Sequence, residues 1–410
     1  MPPVDPPKRV ELTVMVAMIM ATGALGIDLM LPAFGAIRES FGLPEDSTAT
    51  ARIVTAYFVG MAVGQLVFGV ISDRYGRRRA LHIGLWLYVV AATAAAVSPT
   101  LNILLAARFV WGFAASGPRV VAVAVVRDLF EGDRMAQAMS FIMAVFVLVP
   151  VVAPTLGAAV LAVSNWHWVF GVCVIFALGL LLWTRRLPET LDPAHRRDLR
   201  FATFVEAGRI VLTNRSTMAY TVGLTLLFGV FSSYLASSEL IVGGIIGRPD
   251  MFPLIFGGLA AVMGTAMVAN GSVVRRFGTT RMATGGLWAY VGWAWAMAAA
   301  SIVWGGVPGV AVYMLGVAPL LALHALVFPN LNTAAMQPMG AIAGIASAVI
   351  GTISTAVGAV IGAVIDRSMG DTITPLAIGF AVAGTLALAI TLWGAPTSGR
   401  SEPAAPGAVG

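Results

Sequence analysis

The chain is dominated by apolar stretches of about twenty residues, which recur from Val10 to Ala395. A helix of that length rises about 30 Å, the thickness of the hydrocarbon core of a bilayer. The composition agrees, since 59% of the 410 residues are hydrophobic and only 11% are charged. A soluble domain has roughly 25% charged residues. The pattern predicts an all-α integral membrane protein and excludes a soluble globular fold.

Twelve such stretches predict twelve transmembrane helices. Twelve spans of this length use about 240 residues, so no room remains for a large soluble catalytic domain. The predicted spans are 10–38, 49–72, 80–98, 101–127, 135–162, 167–186, 217–242, 251–274, 282–304, 307–329, 339–366 and 372–395.

Basic residues are distributed unequally between the two sides that these spans define. With a cytoplasmic N-terminus, 19 of the 25 Lys and Arg residues fall inside, four fall outside, and Arg108 and Arg119 fall within spans. Because inside loops carry the excess of Lys and Arg, we expect both termini in the cytoplasm and an inner (plasma) membrane location. The same sidedness accounts for the net charge of +6, so no nucleic-acid partner is predicted.

The longest polar stretch divides the chain into two six-helix halves. The predicted units are an N-terminal six-helix bundle at 1–186, a cytoplasmic central loop at 187–216, a C-terminal six-helix bundle at 217–395 and a disordered cytoplasmic tail at 396–410. Apolar residues at helical spacing between 201 and 212 predict a short amphipathic helix on the inner membrane surface. That helix could be a plain interfacial linker or a docking site for a partner.

A loop after the second span has a partial copy after the eighth. The segment Gly69-Val-Ile-Ser-Asp73-Arg74-Tyr-Gly76-Arg77-Arg78-Arg79 is echoed 202 residues later by Gly271-Ser-Val-Val-Arg275-Arg276-Phe-Gly278-Thr-Thr-Arg281. Arg275 stands where the first copy has Asp73. Six helices separate the copies and place them on one side of the membrane, so the halves are predicted to be parallel repeats. In the first copy we expect Gly69 to allow close helix approach and Gly76 to make a tight turn.

This first loop closely resembles the signature of the major facilitator superfamily. Three further segments resemble the Bcr/CflA drug-resistance transporters within that superfamily. These segments are Asp28-Leu-Met-Leu-Pro32, Arg108-Phe-Val-Trp-Gly112 with Val126-Arg127-Asp128-Leu129, and Leu187-Pro-Glu-Thr-Leu191. The resemblance covers most of the first half and implies two pseudo-symmetric six-helix bundles in a monomeric protein.

The resemblance also implies roles for two motifs. Asp73 and Arg77 would join Asp128 in a cytoplasmic charge cluster that steadies the conformation open to the outside. Gly69, Arg74 and Gly76 belong to the same gate motif. The fifth span resembles the family's antiporter motif, with its kinks kept at Pro150 and Pro154 and a glycine at Gly157. Val149, Ala153 and Ala158 replace glycines of the general pattern.

Two charges fall deep within the spans. If the first span continues to Arg38 through a kink at Pro32, Asp28 lies ten residues from its outer end, or about 15 Å. Arg108 lies seven residues into the fourth span, at similar depth. Each charge would cost about 3 kcal/mol in lipid, so we expect both to face a wet cavity.

We hypothesise that Asp28 pairs with Arg108 or a cationic drug in one state and binds a proton in the other. A static buried ion pair is the alternative. In the resembling family, Asp28 and Arg108 occupy the positions of the coupling carboxylate and its arginine partner.

Other side chains within the spans are candidates for lining a substrate cavity. They are Phe34, Tyr57, Gln65, Arg119, Phe146, Phe231 and Glu239. Arg119 could instead pack against a backbone carbonyl, and Glu239 could merely reach the membrane interface. His324 could relay protons or simply pack. The four histidines show no metal-ligand spacing, and the single Cys173 allows no disulfide, so neither a metal nor a cofactor is predicted.

The chain carries neither a Walker phosphate loop nor a GxSxG elbow, which argues against a primary ATPase and a hydrolase. The predicted function is proton-coupled export of drugs or similar amphipathic small molecules by alternating access (drug/proton antiport). The partners would be a small-molecule substrate, protons and the lipid bilayer. Two alternatives stay open: an uptake transporter or facilitator for a small metabolite, which would have a more polar cavity, and an integral-membrane enzyme or sensor.

Overall fold

The computed structural model describes residues 9–130, 132–192 and 201–394, which form helices joined mainly by short turns. In these ranges, the helices in chain order are α1 (Arg9–Asp28), α2 (Phe34–Ser40), α3 (Ala51–Tyr75), α4 (Arg77–Ala96), α5 (Leu101–Leu129), α6 (Gly132–Val163), α7 (Trp166–Trp183), α8 (Phe201–Thr213), α9 (Arg215–Glu239), α10 (Phe252–Phe277), α11 (Thr279–Val303), α12 (Val310–Met336), α13 (Ala343–Ser368) and α14 (Thr374–Gly394). The predicted tail at 396–410 and part of the central loop, at 193–200, lie outside the described residues.

Within the described ranges, twelve helical stretches are long and apolar enough to cross a membrane. Helices α1 and α2 together form the first stretch, from Val10 to Ser40. Helix α8 is the predicted amphipathic helix, and each remaining helix lies in one of the other eleven stretches. The predicted all-α fold with twelve spans is therefore confirmed.

The first span is broken between α1 and α2. Pro32 has no N–H to bond the carbonyl of Asp28, four residues earlier, and its ring would clash with that carbonyl in a continuous helix. The chain therefore leaves α1 at Asp28, makes a 3₁₀ turn at Leu31–Ala33 and resumes as α2 at Phe34. The break predicted at Pro32 is present, and it places Asp28 at a helix end inside the membrane.

Helices of the same half pack closely together. In the first half, α5 contacts α3, α4 and α1, while α7 contacts α4. In the second half, α9 contacts α13, α14 and α12, while α11 contacts α12 and α14. Contacts between the halves run from α3 to α13 and α9, and from α6 to α10.

The two ends of the bundle differ in how the halves meet. We call the end that carries Tyr75, Arg186 and α8 the linker side, and the end that carries Ser40 and Arg248 the far side. On the far side, the Arg38 guanidinium of α2 donates hydrogen bonds of 3.0 and 2.8 Å to both carboxylate oxygens of Glu239 on α9.

Aromatic and backbone contacts join the halves between this ion pair and the middle of the bundle. Phe58 of α3 and Phe228 of α9 meet edge to face with ring centroids 5.0 Å apart. Nearer the middle, the Thr352 hydroxyl of α13 donates to the Ala62 carbonyl of α3 at 2.9 Å. Contact between the halves therefore extends from the far side to about mid-depth.

Glycines on the linker side face open space. A Cβ at Gly69 of α3, or at Gly340 or Gly344 near the start of α13, would meet no atom within 4 Å. Small residues on membrane helices normally allow close contact with a neighbouring helix. The structure thus shows a conformation in which the far side is closed and these faces at the linker side are not in contact.

Candidate functional site

Asp28 ends α1 and has a side chain that is only 4% exposed. Within the described part of the chain it makes no ion pair or side-chain hydrogen bond, and Arg108 does not contact it as a salt-bridge partner. The hypothesised Asp28–Arg108 pair is therefore absent from this conformation, and so is its static alternative. An acid without a cation partner is left buried at mid-membrane depth.

Arg108 is fully buried and is held by neutral groups. Its Nη1 donates a 2.9 Å hydrogen bond to the Gly26 carbonyl, and its guanidinium lies over the rings of Tyr57 and Trp111, at 4.4 and 4.6 Å from their centroids. Cation–π contacts of this kind are worth about 2 kcal/mol when desolvated. Its Nε and Nη2 are buried without hydrogen-bond partners, so this cation keeps donors free for another acceptor.

Four side chains, which we call the collar, donate hydrogen bonds to backbone carbonyls in the last turns of α1, just before Asp28. The donors and the carbonyls that accept are Tyr88 to Thr22 (3.1 Å), Tyr57 to Gly23 (3.0 Å), Cys173 to Leu25 (3.9 Å) and Arg108 to Gly26 (2.9 Å). Gly26 makes room for this collar, because a Cβ there would come within 2.9 and 3.1 Å of the Tyr57 and Tyr88 hydroxyls. Helices α3, α4, α5 and α7 therefore fix the helix end that carries Asp28.

The segment of α6 that resembles the antiporter motif packs against this same break. Helix α6 runs without interruption through Pro150 and Pro154. A Cβ at Gly157 would lie 2.1 Å from the carbonyl oxygen of Leu29, the residue after Asp28. Gly157 is thus the position at which α6 passes directly beside the end of α1.

The second half supplies an aromatic stack. The His324 ring of α12 stacks on Phe231 of α9 and on Phe328, with centroid separations of 4.9 and 5.3 Å. Phe231 also contacts Tyr234, which stacks on Phe256 of α10. The Nδ1 atom of His324 is buried without a partner, so the geometry matches packing of His324 and shows no proton-relay partner at that atom.

Two predicted cavity residues are buried in the first half. Phe34 and Tyr57 are 1% and 0% exposed, so neither lines an open cavity in this conformation. Helix rotation instead turns Tyr57 toward α1 and Arg108.

The other predicted cavity residues are more accessible. Arg119 on α5 is exposed, with Nη1 4.0 Å from the Met61 sulfur, and no carbonyl among the described residues accepts a hydrogen bond from it. Gln65 and Phe146 are half-buried. The Gln65 amide faces α13, since a Cβ at Gly351 would lie 2.7 Å from its Oε1, and its Nε2 lacks a partner.

In this conformation Glu239 forms the far-side ion pair with Arg38, a contact that neither expectation for it included. The two side chains are 12% and 8% exposed. Sequence counting placed Arg38 among the outside basic residues, and nothing local indicates a partner 201 positions away. The α2 turn that follows the Pro32 break brings Arg38 to this point.

The linker side carries the charge cluster that the gate motif predicts. Arg77 starts α4, and its Nε donates to Asp128 at 2.9 Å. Its Nη1 donates to Asp73 and, at 2.9 Å, to the Ser72 hydroxyl. Arg74 is exposed and lies over Tyr75 instead, with its guanidinium carbon 5.4 Å from the ring centroid.

Glu189 completes this cluster, a role that the sequence analysis missed. Its carboxylate accepts the backbone N–H groups of Arg77 and Arg78 at 2.7 and 3.3 Å. A carboxylate at the first turn of a helix is favoured by the helix dipole and satisfies orphan donors. Glu189 stands in the Leu187–Leu191 segment that resembles the family, which was the available signal.

The two glycines of the gate motif behave differently. Gly76 has φ of +102°, and a Cβ there would lie 2.3 Å from Glu189 Oε2, so the tight turn is present. Gly69 does not contact a neighbouring helix, contrary to expectation, because the linker-side face of α3 is open in this conformation.

Sequence reasoning also missed Asp366, which it placed at the last position of the eleventh span. The side chain is 2% exposed and accepts hydrogen bonds from Ser233 and Ser237 of α9. Its position eight and four residues after Gly358 and Gly362 was the available signal. In the described part of the chain, no three His, Cys, Asp or Glu residues lie close enough to hold a metal ion.

Twelve apolar helices, buried charges at mid-depth and an ion-paired closure at one end are features of a multi-pass membrane transporter. A family model described as the Major Facilitator Superfamily matches residues 15–363. The chain belongs to the major facilitator superfamily, as the motif resemblance predicted.

The relatives are transporters as well. An uncharacterised MFS-type transporter of Bacillus subtilis (strain 168) is 30% identical over 93% of this chain and 95% of its own length. A bicyclomycin resistance protein homolog of Haemophilus influenzae is 29% identical over 86% of this chain and 87% of its own. The Escherichia coli xylose transporter XylE, solved in a partially occluded inward-open conformation, shares the fold at 14% identity, with a TM-score of 0.74 over 96% of this chain and 99% of its own. The chain is thus a transporter and not an enzyme.

Proposed function

We propose that this transporter exports drugs or similar amphipathic small molecules in exchange for protons, as a member of the Bcr/CflA group. The observation that carries this proposal is Asp28, a buried acid without a partner at the end of α1, on the same helix whose Gly26 carbonyl holds a buried Arg108 with unused donors. The relative named a bicyclomycin resistance protein homolog supports drugs as the substrate class.

The surroundings of Asp28 favour its neutral form in this conformation. The C-terminal end of α1 carries partial negative charge from the helix dipole, and the Asp28 carbonyl loses its helical donor at Pro32. An ionised carboxylate buried here without a cation would pay the full desolvation cost. Binding a proton removes that cost.

Arg108 gives the acid an alternative to the proton. Its Nε and Nη2 are free, while Nη1 is tied to Gly26, two residues before Asp28. In the proposed cycle, movement of α1 relative to α5 brings a free Arg108 donor to Asp28, or a cationic substrate binds there. Either partner favours the carboxylate and releases the proton. Asp28 is then either protonated or paired, which couples the two cargoes.

The proposed cycle alternates between closure at the far side and closure at the linker side. The bias in basic residues assigns the linker side to the cytoplasm, so that both termini lie on the cytoplasmic side of the inner membrane. In that orientation the structure corresponds to an inward-facing state. Opening outward requires the Arg38–Glu239 pair to separate as the units 1–186 and 217–395 rock about the 187–216 loop.

The aromatic stack favours an apolar or planar substrate over a sugar or organic acid. His324 is buried against Phe231 and Phe328, which are half-buried and present apolar ring surface, and pockets for drug-like molecules combine such walls with a few polar anchors. The driving force is sufficient, because about 2.3 kcal/mol per charge per 100 mV and about 1.4 kcal/mol per pH unit sustain a concentration ratio above about one hundred.

The test measures dissipation of a respiration-generated pH gradient in inverted membrane vesicles as antibiotics and lipophilic cations are added. The variants are Asp28→Asn and the matched control Asp371→Asn, which changes an exposed acid in a far-side loop. We expect compound-dependent proton release in the wild type and the control, and none in Asp28→Asn at equal membrane abundance. A wild-type response retained by Asp28→Asn removes the coupling role. No response to any compound favours metabolite uptake or facilitation.

A further inference from the structure

The second half contains a buried acid that the proposed mechanism does not use. Asp366 lies near the far-side end of α13, two residues before that helix ends at Ser368. It shares a face with Gly358 and Gly362, at intervals of four residues. Helix α9 presents a matching face with Gly229, Ser233 and Ser237, again at intervals of four.

These two faces bring the helix backbones into direct contact. A Cβ at Gly358 would lie 3.0 Å from the Thr225 carbonyl, and a Cβ at Gly362 would lie 2.8 Å from the Gly229 carbonyl. Close approach of this kind is what small residues allow between membrane helices. One turn further along α13, the same approach delivers the Asp366 carboxyl to the serines of α9.

The hydrogen bonds at Asp366 are one-sided. The hydroxyls of Ser233 and Ser237 both donate to Oδ1, at 2.6 and 2.7 Å. The second oxygen, Oδ2, is buried and has no hydrogen-bond partner. A carboxylate with one buried, unbonded oxygen is costly, since neither water nor a donor stabilises its charge.

No cation among the described residues compensates Asp366. On the elements packed against α13 and in the adjoining loop, Arg52, Arg367 and Asp371 are exposed. Glu239 is paired with Arg38, and His324 lies in the aromatic stack. Glu206 and Arg209 belong to α8 at the linker side. Helix α14 carries no charged residue. The polar environment of the carboxyl therefore consists of two neutral hydroxyls.

We propose that Asp366, Ser233 and Ser237 form a second proton-binding site. A proton from water adds to a lone pair of Oδ2, which converts the carboxylate into a neutral acid, while Oδ1 keeps the two serine hydrogen bonds. The site holds its proton while the far side is closed and exchanges it with the outside when the far side opens. Two residues of helix, about 3 Å of axial rise, separate Asp366 from that end.

This inference rests on the α9–α13 contact and does not require drug export, so its test can fail independently of the proposed function. The full chain in phosphatidylethanolamine and phosphatidylglycerol vesicles is titrated while the infrared C=O stretching band of protonated carboxylic acids is followed. Asp366→Asn is compared with the wild type, with Asp28→Asn and with Asp371→Asn.

We expect Asp366→Asn to lose a band component that Asp28→Asn and Asp371→Asn retain. Ser233→Ala, which keeps the acid, should shift that component because one hydrogen bond to Oδ1 is lost. Ser233→Ala also serves as the test variant if Asp366→Asn does not fold. A titrating band that is unchanged in both Asp366→Asn and Ser233→Ala overturns the site.

A second measurement tests the link to the far side. Spin labels at Arg52→Cys and Arg248→Cys, both exposed on opposite halves, report the far-side distance after the buried Cys173 is replaced by Ala. Since the protonated acid belongs to the closed form, raising the pH should populate longer distances. In an Asp28→Asn background, adding Asp366→Asn should reduce the remaining pH dependence. An unchanged pH dependence overturns the coupling between this proton and far-side closure.

Discussion

The loop at 69–79 and its copy at 271–281 occupy equivalent places in the two halves, but only the first holds a buried ion. Both loops turn at a glycine, and the backbone dihedral angles of the two glycines are similar. They are φ +102° and ψ 156° at Gly76, and φ +81° and ψ 154° at Gly278. Arg77 follows the first glycine and is buried among Asp73, Asp128 and Ser72. In the second loop, Arg275 and Arg276 are exposed.

The difference shows that the turn and the charge cluster are separate properties of the repeat. The helix–turn–helix geometry needs glycine in either half, since this backbone region is almost closed to other residues. The cluster additionally needs Asp73 and two acids from elsewhere in the chain, Asp128 on α5 and Glu189 beyond α7. The first half therefore has a buried charge cluster at its linker-side loop, and the equivalent loop of the second half, as described, has none.

The largest total loss of stability is expected for Gly76→Ala, and Gly278→Ala is its matched control. Both changes strain the turn by about 1–3 kcal/mol. At Gly76, the new Cβ would also meet Glu189 Oε2 at 2.3 Å, whereas at Gly278 it meets open space. We expect Gly76→Ala to destabilise by about 1–2 kcal/mol more than Gly278→Ala, through loss of the helix cap. Denaturant unfolding in detergent, followed by tryptophan fluorescence, measures the difference, and equal effects would mean that Glu189 moves aside freely.

Arg77→Ala should come next. Breaking a fully buried ion pair costs about 3–5 kcal/mol, and we expect about 2–3 kcal/mol here because the Asp73 side chain is 37% exposed. Arg275→Ala is the matched change in the second loop and should alter stability by less than about 0.5 kcal/mol. The same unfolding assay applies. Similar losses in the two variants would contradict the asymmetry of the halves.

Glu189→Gln tests the contribution of the carboxylate charge to the first loop. The amide keeps one acceptor for the α4 N–H groups but loses the interaction with the helix dipole, which is worth about 0.3–1 kcal/mol at an exposed site. Raising the salt concentration should shrink the difference from the wild type. Glu206→Gln on α8, also exposed, is the control. A loss that does not depend on salt would point to packing rather than charge.

Arg275→Asp should have the smallest effect, below about 0.5 kcal/mol. It restores the acid of the first loop in the second, but Arg281 and Arg276 are exposed and no described contact places a Glu189 equivalent beside Gly278. An unfolding midpoint that rises clearly above that of the wild type would show that the acid alone is enough to form the charge cluster.

For the charged residues inside the spans, the sequence predicted how deep each one lies but not which group it contacts. Asp28 and Arg108 were placed at similar depth, and both are buried. Their expected contact is missing because Arg108 is directed to the Gly26 carbonyl and two ring faces. Hydropathy reports how far a residue lies along a span, whereas pairing depends on the rotation of each helix about its axis.

The sequence by itself determined the twelve spans, the repeat of the linker-side loops, the break at Pro32 and the superfamily. These features follow from local patterns: hydrophobic length, glycine and proline chemistry, and short motifs. The tertiary structure alone decided that Arg38 meets Glu239, that Glu189 caps α4 and that two serines of α9 meet Asp366. Those contacts join positions more than one hundred residues apart. They depend on how the helices pack in one conformation, which no local pattern encodes.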